Sequence, residues 1–480
     1  MQLYRGLMPL VLLPLLLLSN PAESRKNLVL MISDGFGMTS STLARTYMQQ
    51  FADSNWTSVL DSMLKGTVRT HSSSSLVTDS AAGATAFACG KKTYNGGIGV
   101  DAGGRPCGTI LEAAKQKGYR TGLVTTARIT HATPAAFAAH VADRDMEDLI
   151  ALQLIGRNSS QDAPIVDLML GGGLCHFLAQ ESEGSCRGDS ADVRGYARSS
   201  GFTVVDSPEG FAALERPTLP LMGLFAPSHM AFSLDRNTQE QPSLTDMTKQ
   251  ALALLDTAPS DQGFFLMVEG ARIDMAAHDN DPATHVHEII EYWRAVNVVR
   301  EYVREHPDTL LVSTSDHETG GLALGIDPDY IWHPSVLRSV HRSADRLCAE
   351  LRQVDDVEDY ISTTVMPLLG IHNATNAEIT RIADAVDSGA KPCKRAVGGV
   401  VSNRAHIGWS TGGHSGADVG LFAYGNSADL LQPSMDNTQL GHLLAKYLEV
   451  DTEDVTKVLG GQSTRQFAFT QRYNHHHDHD

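Results

Sequence analysis

Asn27-Leu-Val-Leu-Met-Ile-Ser33, running straight into Asp34-Gly-Phe-Gly37, is the stretch whose reading decides the fold. An apolar run without polar alternation has no wet face, so it reads as a strand buried on both sides, ended by the Asp-Gly turn. The pattern recurs along the chain. Residues 119–129 form a second such run, and 165–170 a third, before Gly171-Gly-Gly173. Residues 264–268 end at Glu269, and 309–314 end two residues before Asp316-His317. Helical spacing over 106–117, 134–158, 244–257 and 284–305 separates these strands. Buried strands alternating with helices predict an α/β fold with a central, mostly parallel sheet sandwiched by helices. In such sheets ligands bind beyond the carboxyl ends of the strands, where these acidic and imidazole residues fall. Residues 325–408 interrupt the rhythm with mixed helical and loop composition, and read as an inserted cap or crown or an oligomer contact.

Composition bounds what the chain does. With 480 residues, 42% apolar and 20% charged, it can bury a large core, unlike a disordered or collagenous chain. Its 38 Lys+Arg against 56 Asp+Glu give a formal charge of −18, which excludes the basic footprint of a non-specific nucleic-acid binder. Residues 1–22 read as an export signal, with Arg5, an apolar run over 7–18 and a cleavage point after Ala22, an uncleaved signal anchor being the alternative. No later run is long and apolar enough to span a bilayer, and the end, 471–480, is a His/Asp-rich tail rather than a hydrophobic anchor signal. The expectation is an exported, periplasmic or secreted protein with no stable membrane anchor once the signal is cleaved. Six cysteines suit an oxidising compartment, with sequential pairing expected and Cys175–Cys186 foremost. Asn55, Asn158 and Asn373 head glycosylation sequons.

Four separated segments offer metal ligands. Asp34 follows the first strand, and Glu269 ends another. Asp274 and His278, four apart, share one helical face, Asp316-His317 follows the fifth strand, and His414 lies within Gly412-Gly-His-Ser-Gly416. Carboxylates with imidazoles suit zinc, and an oxygen-only subset suits magnesium. Ser80, in Thr78-Asp-Ser-Ala-Ala-Gly-Ala-Thr85, opens a helix whose free N–H groups favour an anion beside its hydroxyl. The competing reading of that stretch is a helix cap followed by tight Ala/Gly packing. Ser80 stands in no Gly-x-Ser-x-Gly elbow, so a metal must activate the serine.

These motifs, with His131-Ala-Thr-Pro-Ala135 and Ser315-Asp-His-Glu-Thr-Gly-Gly321, resemble the alkaline phosphatase family in the same chain order over residues 27 to 430. The resemblance implies two zinc ions and one magnesium ion. Asp274, His278 and His414 would hold the first zinc, and Asp34, Asp316 and His317 the second, with Ser80 joining it when deprotonated. Asp34 would also bridge to a magnesium held by Thr133 and Glu269, with His131 reaching that ion through water. Arg144 matches the family's phosphate-gripping arginine, whose planar fork takes two oxygens at once. Met275 stands where many relatives carry a polar or basic residue that reaches phosphate through water, so looser phosphate binding is expected. Phe36 replaces a common Met and reads as packing. The implied activity is hydrolysis of small phosphomonoesters through a phosphoserine, with broad substrate range and alkaline optimum, in a homodimer. Residues 23–470 would form one catalytic domain, with 325–408 as its variable crown. A phosphodiesterase would favour a threonine nucleophile and a sulfatase a Cys/Ser-x-Pro-x-Arg setting, and Ser80-Ala-Ala-Gly matches neither. A non-catalytic binding protein would need a broken site, whereas every position implied here is filled.

Overall fold

The computed structural model describes residues 25–157, 164–214, 219–326, 328 and 330–460. The signal, the sequon at Asn158 and the 471–480 tail lie outside these described residues. Ten strands form one sheet: β1 (Asn27–Ile32), β2 (Leu64–Arg69), β3 (Arg120–Arg128), β4 (Leu168–Gly172), β5 (Thr203–Val205), β6 (Leu221–Leu224), β7 (Phe264–Glu269), β8 (Thr309–Thr314), β9 (Val419–Tyr424) and β10 (Ser434–Asp436). Their spatial order is β10-β2-β9-β8-β1-β7-β3-β4-β6-β5. β9 alone runs antiparallel, against β2 and β8, so the sheet is mixed but mostly parallel.

Period-two alternation distributes the apolar side chains of each central strand between two cores. Val29 and Met31 of β1 join Leu266 and Val268 of β7 in one buried cluster, with Leu43, Met247, Ala251, Val286 and Tyr292 from the covering helices. Leu28, Leu30 and Ile32 join Phe265 and Met267 in the other, with Ala84, Phe87, Leu111, Leu440 and Leu444. The helices on the first face are Met38–Phe51, Leu244–Thr257 and Pro282–Glu305; those on the second are Ser80–Cys89, Ile110–Lys117 and Asn437–Leu448. The disulfides pair sequentially, as expected: Cys89–Cys107, Cys175–Cys186 and Cys348–Cys393.

Two helices differ from the sequence reading. The first starts at Ile110 rather than 106, because the Thr109 hydroxyl accepts from Glu112 N–H and the Glu112 carboxylate accepts in return, a capping box. The long helix expected over 134–158 is two short ones, Ala132–Ala135 and Glu147–Leu154. Between them Val141 bridges to Ile98, and a turn closes where Met146 N donates to Asp143 O at 3.1 Å. That break places Arg144 in a turn instead of on a helix.

The segment 325–408 is bracketed at its base by an antiparallel pair, Leu322–Leu324 against Ile407–Trp409. Within it, helices Ala344–Leu351, Asn376–Asp387 and Ala390–Ala405 send Leu347, Ile382, Val397 and Val400 into the cluster that also holds Val286 and Ile289. This segment therefore shares its core with the Pro282–Glu305 helix.

One buried acid carries a pH signature. Glu288, on the Pro282–Glu305 helix, is 5% exposed and accepts from Ser233 N at 2.5 Å. Burial raises its carboxyl to about 7, against the partial pull of Arg272. A carboxyl raised on folding stabilises most below its unfolded value, and that contribution is lost as pH rises through the folded value. Glu288→Gln keeps the acceptor without the charge, so urea unfolding at pH 8 should show a gain of about 1–3 kcal/mol, shrinking toward pH 5.

Candidate active site

The carboxyl ends of β8, β1, β7 and β3, neighbours in the sheet, carry the site. Asp34 follows β1 by two residues, Glu269 ends β7, Asp316 and His317 follow β8, and Thr133 lies on the short helix after β3. Gly35, at φ +74°, makes the turn beneath Asp34, and a Cβ there would come within 2.7 Å of the Asp274 backbone. Ser80 is the first residue of its helix and is 2% exposed. Asp79 caps that helix by accepting from Ala82 N at 3.0 Å. Gly83, one turn in, lets the helix lie against Asp316, whose Cβ would be 3.0 Å from an added methyl. Capping and close packing thus hold together with the reading of Ser80 as a reactive hydroxyl.

The site's hydrogen bonds fix which nitrogen of each imidazole is bare. A carbonyl can only accept, so His278 Nδ1 donates to Gly412 O at 2.8 Å and His414 Nδ1 to Thr78 O at 2.8 Å. Thr319 Oγ1 donates to Asp274 Oδ1 at 2.5 Å and so accepts from His317 Nδ1 at 3.2 Å. When neutral, each ring carries its lone pair on Nε2; burial opposes the charge of His278, but Asp274 outweighs that and raises its pKa. The Nε2 atoms of His278 and His414 face each other at 3.1 Å, with Asp274 oxygens 3.2 and 3.6 Å away. His317 Nε2 lies 3.5 Å from Asp34 Oδ1, 3.3 Å from Asp316 Oδ2 and 3.2 Å from Ser80 Oγ. Ser80 Oγ is 3.5 Å from Asp34 Oδ2. Lone pairs aimed at one another and at carboxylates repel unless a cation lies between them.

Three groups of ligand atoms, each within 4.8 Å of one another, result: Asp274, His278 and His414; Asp34, Asp316 and His317; and Asp34, His131 and Glu269. A further group, Cys175, His176 and Cys186, is disarmed by its disulfide. The buried Asp34 Oδ1, Asp316 Oδ2, Glu269 Oε1 and Thr133 Oγ1 make no hydrogen bond. Unpartnered buried oxygens gathered at one sheet edge fit the donor set a hard cation takes. Burial, then repulsion from Asp316, Asp274 and Glu269, pushes the Asp34 carboxyl well up. Burial likewise raises Glu269 to about 7 and Asp316 to about 6.

His131 behaves differently from the other rings. Its Nε2 accepts from Arg144 at 3.1 Å, and burial first, then Arg144 and Arg128, hold it neutral at about 3. A neutral ring accepting at Nε2 carries its proton on Nδ1, which is buried without a partner. Nδ1 is then a donor, suited to a water rather than to a metal ion. Arg144 also donates to Asp79 Oδ2 at 3.0 Å, so its guanidinium is braced on two sides. Burial opposes its charge, but Asp79, Asp34 and Asp274 outweigh that and hold it protonated.

The sequence reading missed Thr319 and His229. Thr319 sets the tautomer of His317, yet nothing in its spacing distinguishes it from an ordinary turn residue. His229 stacks edge-on against His131 with centroids 5.3 Å apart and lies 2.7 Å from Arg128 through Nε2. It arrives on the loop after β6, where no spacing marks it. Met275, half-buried, lies on the Arg272–His278 helix directly after Asp274.

Groups of imidazoles and carboxylates able to hold metal ions around a buried hydroxyl, at the carboxyl edge of an α/β sheet, are the features of a hydrolase site. More particularly, the chain belongs to the alkaline phosphatase family, whose model matches residues 25–450. It is 41% identical over 449 residues to the alkaline phosphatase of Schizosaccharomyces pombe, across 91% of this chain and 84% of that one. Among solved structures, the Thermus thermophilus alkaline phosphatase superposes with a TM-score of 0.79 at 28% identity, covering 94% of this chain and 100% of that chain. The cold-active enzyme of Shewanella sp. superposes at 0.77 and 32% identity, covering 88% and 99%. The protein is an enzyme that hydrolyses phosphate monoesters. No helix among the described residues is long and apolar enough to cross a membrane.

Proposed function

We propose that hydrolysis runs through a covalent phosphoserine on Ser80 at a site for two zinc ions and one magnesium ion. The observation that carries this reading is the convergence of three bare Nε2 atoms on buried carboxylates beside the Ser80 hydroxyl. Asp274, His278 and His414 would hold one zinc, and Asp34, Asp316 and His317 the other. Asp34, Glu269 and Thr133 would hold magnesium, an all-oxygen set, with His131 donating to one of its waters. When bound, the ions supply the Lewis acidity that lowers the hydroxyl pKa of Ser80 and of water and stabilises the leaving oxygen.

The chain's own residues order the reaction. Ser80 Oγ forms a bond to phosphorus as the bond to the alcohol oxygen breaks, and the proton given up by the Ser80 hydroxyl leaves on the alcohol. The oxygen of a water then bonds to phosphorus as the Oγ–P bond breaks, one water proton returns to Ser80 Oγ, and inorganic phosphate departs. Arg144, fixed by Asp79 and His131, presents its remaining N–H groups to the non-transferring phosphate oxygens in both steps. The grip is on the phosphoryl group, so the leaving group is little restricted and a broad range of small phosphomonoesters is expected, best at alkaline pH. Looser product binding is expected from Met275, whose thioether donates no hydrogen bond. The cysteine usage and the reading of 1–22 support export to the periplasm or medium. A homodimer is the assembly proposed.

Two experiments test this. Acid quenching during turnover should trap phosphate on the peptide that carries Ser80, read by mass spectrometry; turnover with no trapped phosphoserine under any pH would refute the covalent step. Arg144→Ala should lower kcat/KM by about 10- to 100-fold and weaken inhibition by inorganic phosphate in parallel.

A further inference from the structure

The crown contacts the body beside the proposed first zinc site. One face of the Ala390–Ala405 helix, Arg395, Gly398 and Ser402 at helical spacing, seats on residues 278–280. Ser402 Oγ donates to Asn280 O at 3.2 Å, and a Cβ on Gly398 would come within 2.7 Å of that same oxygen. Arg395 Nε donates to His278 O at 3.1 Å and its NH2 to Gly412 O at 2.8 Å. Gly412 O is also the acceptor of His278 Nδ1, at 2.8 Å. The guanidinium thus ties the segment bearing His278 to the segment bearing His414, through the carbonyl that sets the His278 tautomer. A second observation points the same way: a Cβ on Gly412 would lie 1.9 Å from the Arg395 guanidinium, although Gly412 has no left-handed φ that would itself require glycine. Glycine at 412 therefore makes room for the arginine rather than for a turn. Cys393, two residues before Arg395, is bonded to Cys348, and Lys394 pairs with Asp279 at 3.2 Å, so the arginine is anchored from its own helix.

We infer that Arg395, supplied by the crown, is a positioning residue that holds the His278 and His414 imidazoles in register for the first zinc, and that Gly412 is its steric counterpart. This rests on the zinc assignment proposed above. A planar guanidinium spanning two carbonyls of different segments fixes their separation, and second-layer hydrogen bonds of this kind typically change metal affinity by about 10- to 100-fold.

The test is zinc release from the full mature chain to a colorimetric chelator, which should show separate phases for the two zinc sites; the first-site phase is the one His414→Ala abolishes. Arg395→Ala should speed that phase at least about tenfold and leave the other unchanged, and Arg395→Lys should restore part of the loss. Gly412→Ala should speed the same phase, yet add nothing in the Arg395→Ala background, where the methyl has space. A general loss of stability would instead speed both phases together and make the two substitutions additive, which would overturn the inference, as would an Arg395→Ala protein that releases zinc like the wild type. A wild-type chain that folds but retains no zinc would instead refute the metal assignment itself.

Discussion

Ser80→Ala is expected to lower kcat for p-nitrophenyl phosphate by at least about a thousandfold while fold and metal content stay intact. The substitution removes one oxygen at a site where alanine is the best helix former and where capping comes from Asp79 rather than from Ser80. The neighbouring carboxylates and imidazoles keep their positions, because His317 is fixed from its far side by Thr319 and Asp316 accepts from its own chain neighbour His317 N at 3.0 Å. What disappears is the hydroxyl placed 3.2 Å from His317 Nε2 and 3.5 Å from Asp34. Residual turnover would reflect direct attack by water on a phosphate held by Arg144 and the ions. Steady-state rates, with thermal melting and metal analysis of the same sample, check this. A variant that keeps a tenth of the activity would show that Ser80 is not the nucleophile.

Stripping the metal ions is expected to have the second-largest effect. Asp34, Glu269, Asp274 and Asp316 are all at most 5% exposed, and they share their enclosure with His317 at 0% and partly exposed His278 and His414. Without cations, part of this charge must be neutralised by protons, which is why burial and mutual repulsion raise Asp34, Glu269 and Asp316. Carboxyls raised on folding stabilise the metal-free protein below their unfolded values, and that stability is lost as pH rises through about 6 to 7. Binding ions to the folded state alone adds about 4 kcal/mol at a thousandfold excess over Kd. Thermal scans should therefore show a melting temperature several degrees higher with zinc and magnesium, and a gap between loaded and stripped protein that widens from pH 6 to pH 9. Identical melting with and without ions at pH 9 would contradict the ligand assignment.

Much of this was legible in the sequence because buried parallel strands advertise themselves. β1, β7 and β8 are buried along their whole length around apolar runs, and a site residue, Asp34, Glu269 or Asp316, stands at or within two residues of each carboxyl end. β2 escaped notice since Leu64-Lys-Gly-Thr-Val-Arg69 leaves Leu64 and Arg69 exposed and has no continuous apolar run. β9 lay hidden behind the glycine-rich stretch around His414, whose motif drew the reading away from the strand that follows. The helix expected over 134–158 has suitable periodicity, but the Val141–Ile98 bridge and the Asp143 turn override it. The same kind of long-range contact hides the supporting cast. Thr319 and Arg395 act on groups 45 and 117 positions away in sequence, as in the bonds Thr319–Asp274 and Arg395–His278. No local spacing encodes such pairs.

The most direct measurement is hydrolysis of p-nitrophenyl phosphate by the purified mature chain near pH 9, before chelation, after it, and after zinc and magnesium are returned. Metal-dependent serine chemistry requires fast release of nitrophenol that vanishes on chelation and returns with zinc. Release that survives complete removal of the ions, or no release from folded and fully loaded protein, would contradict it.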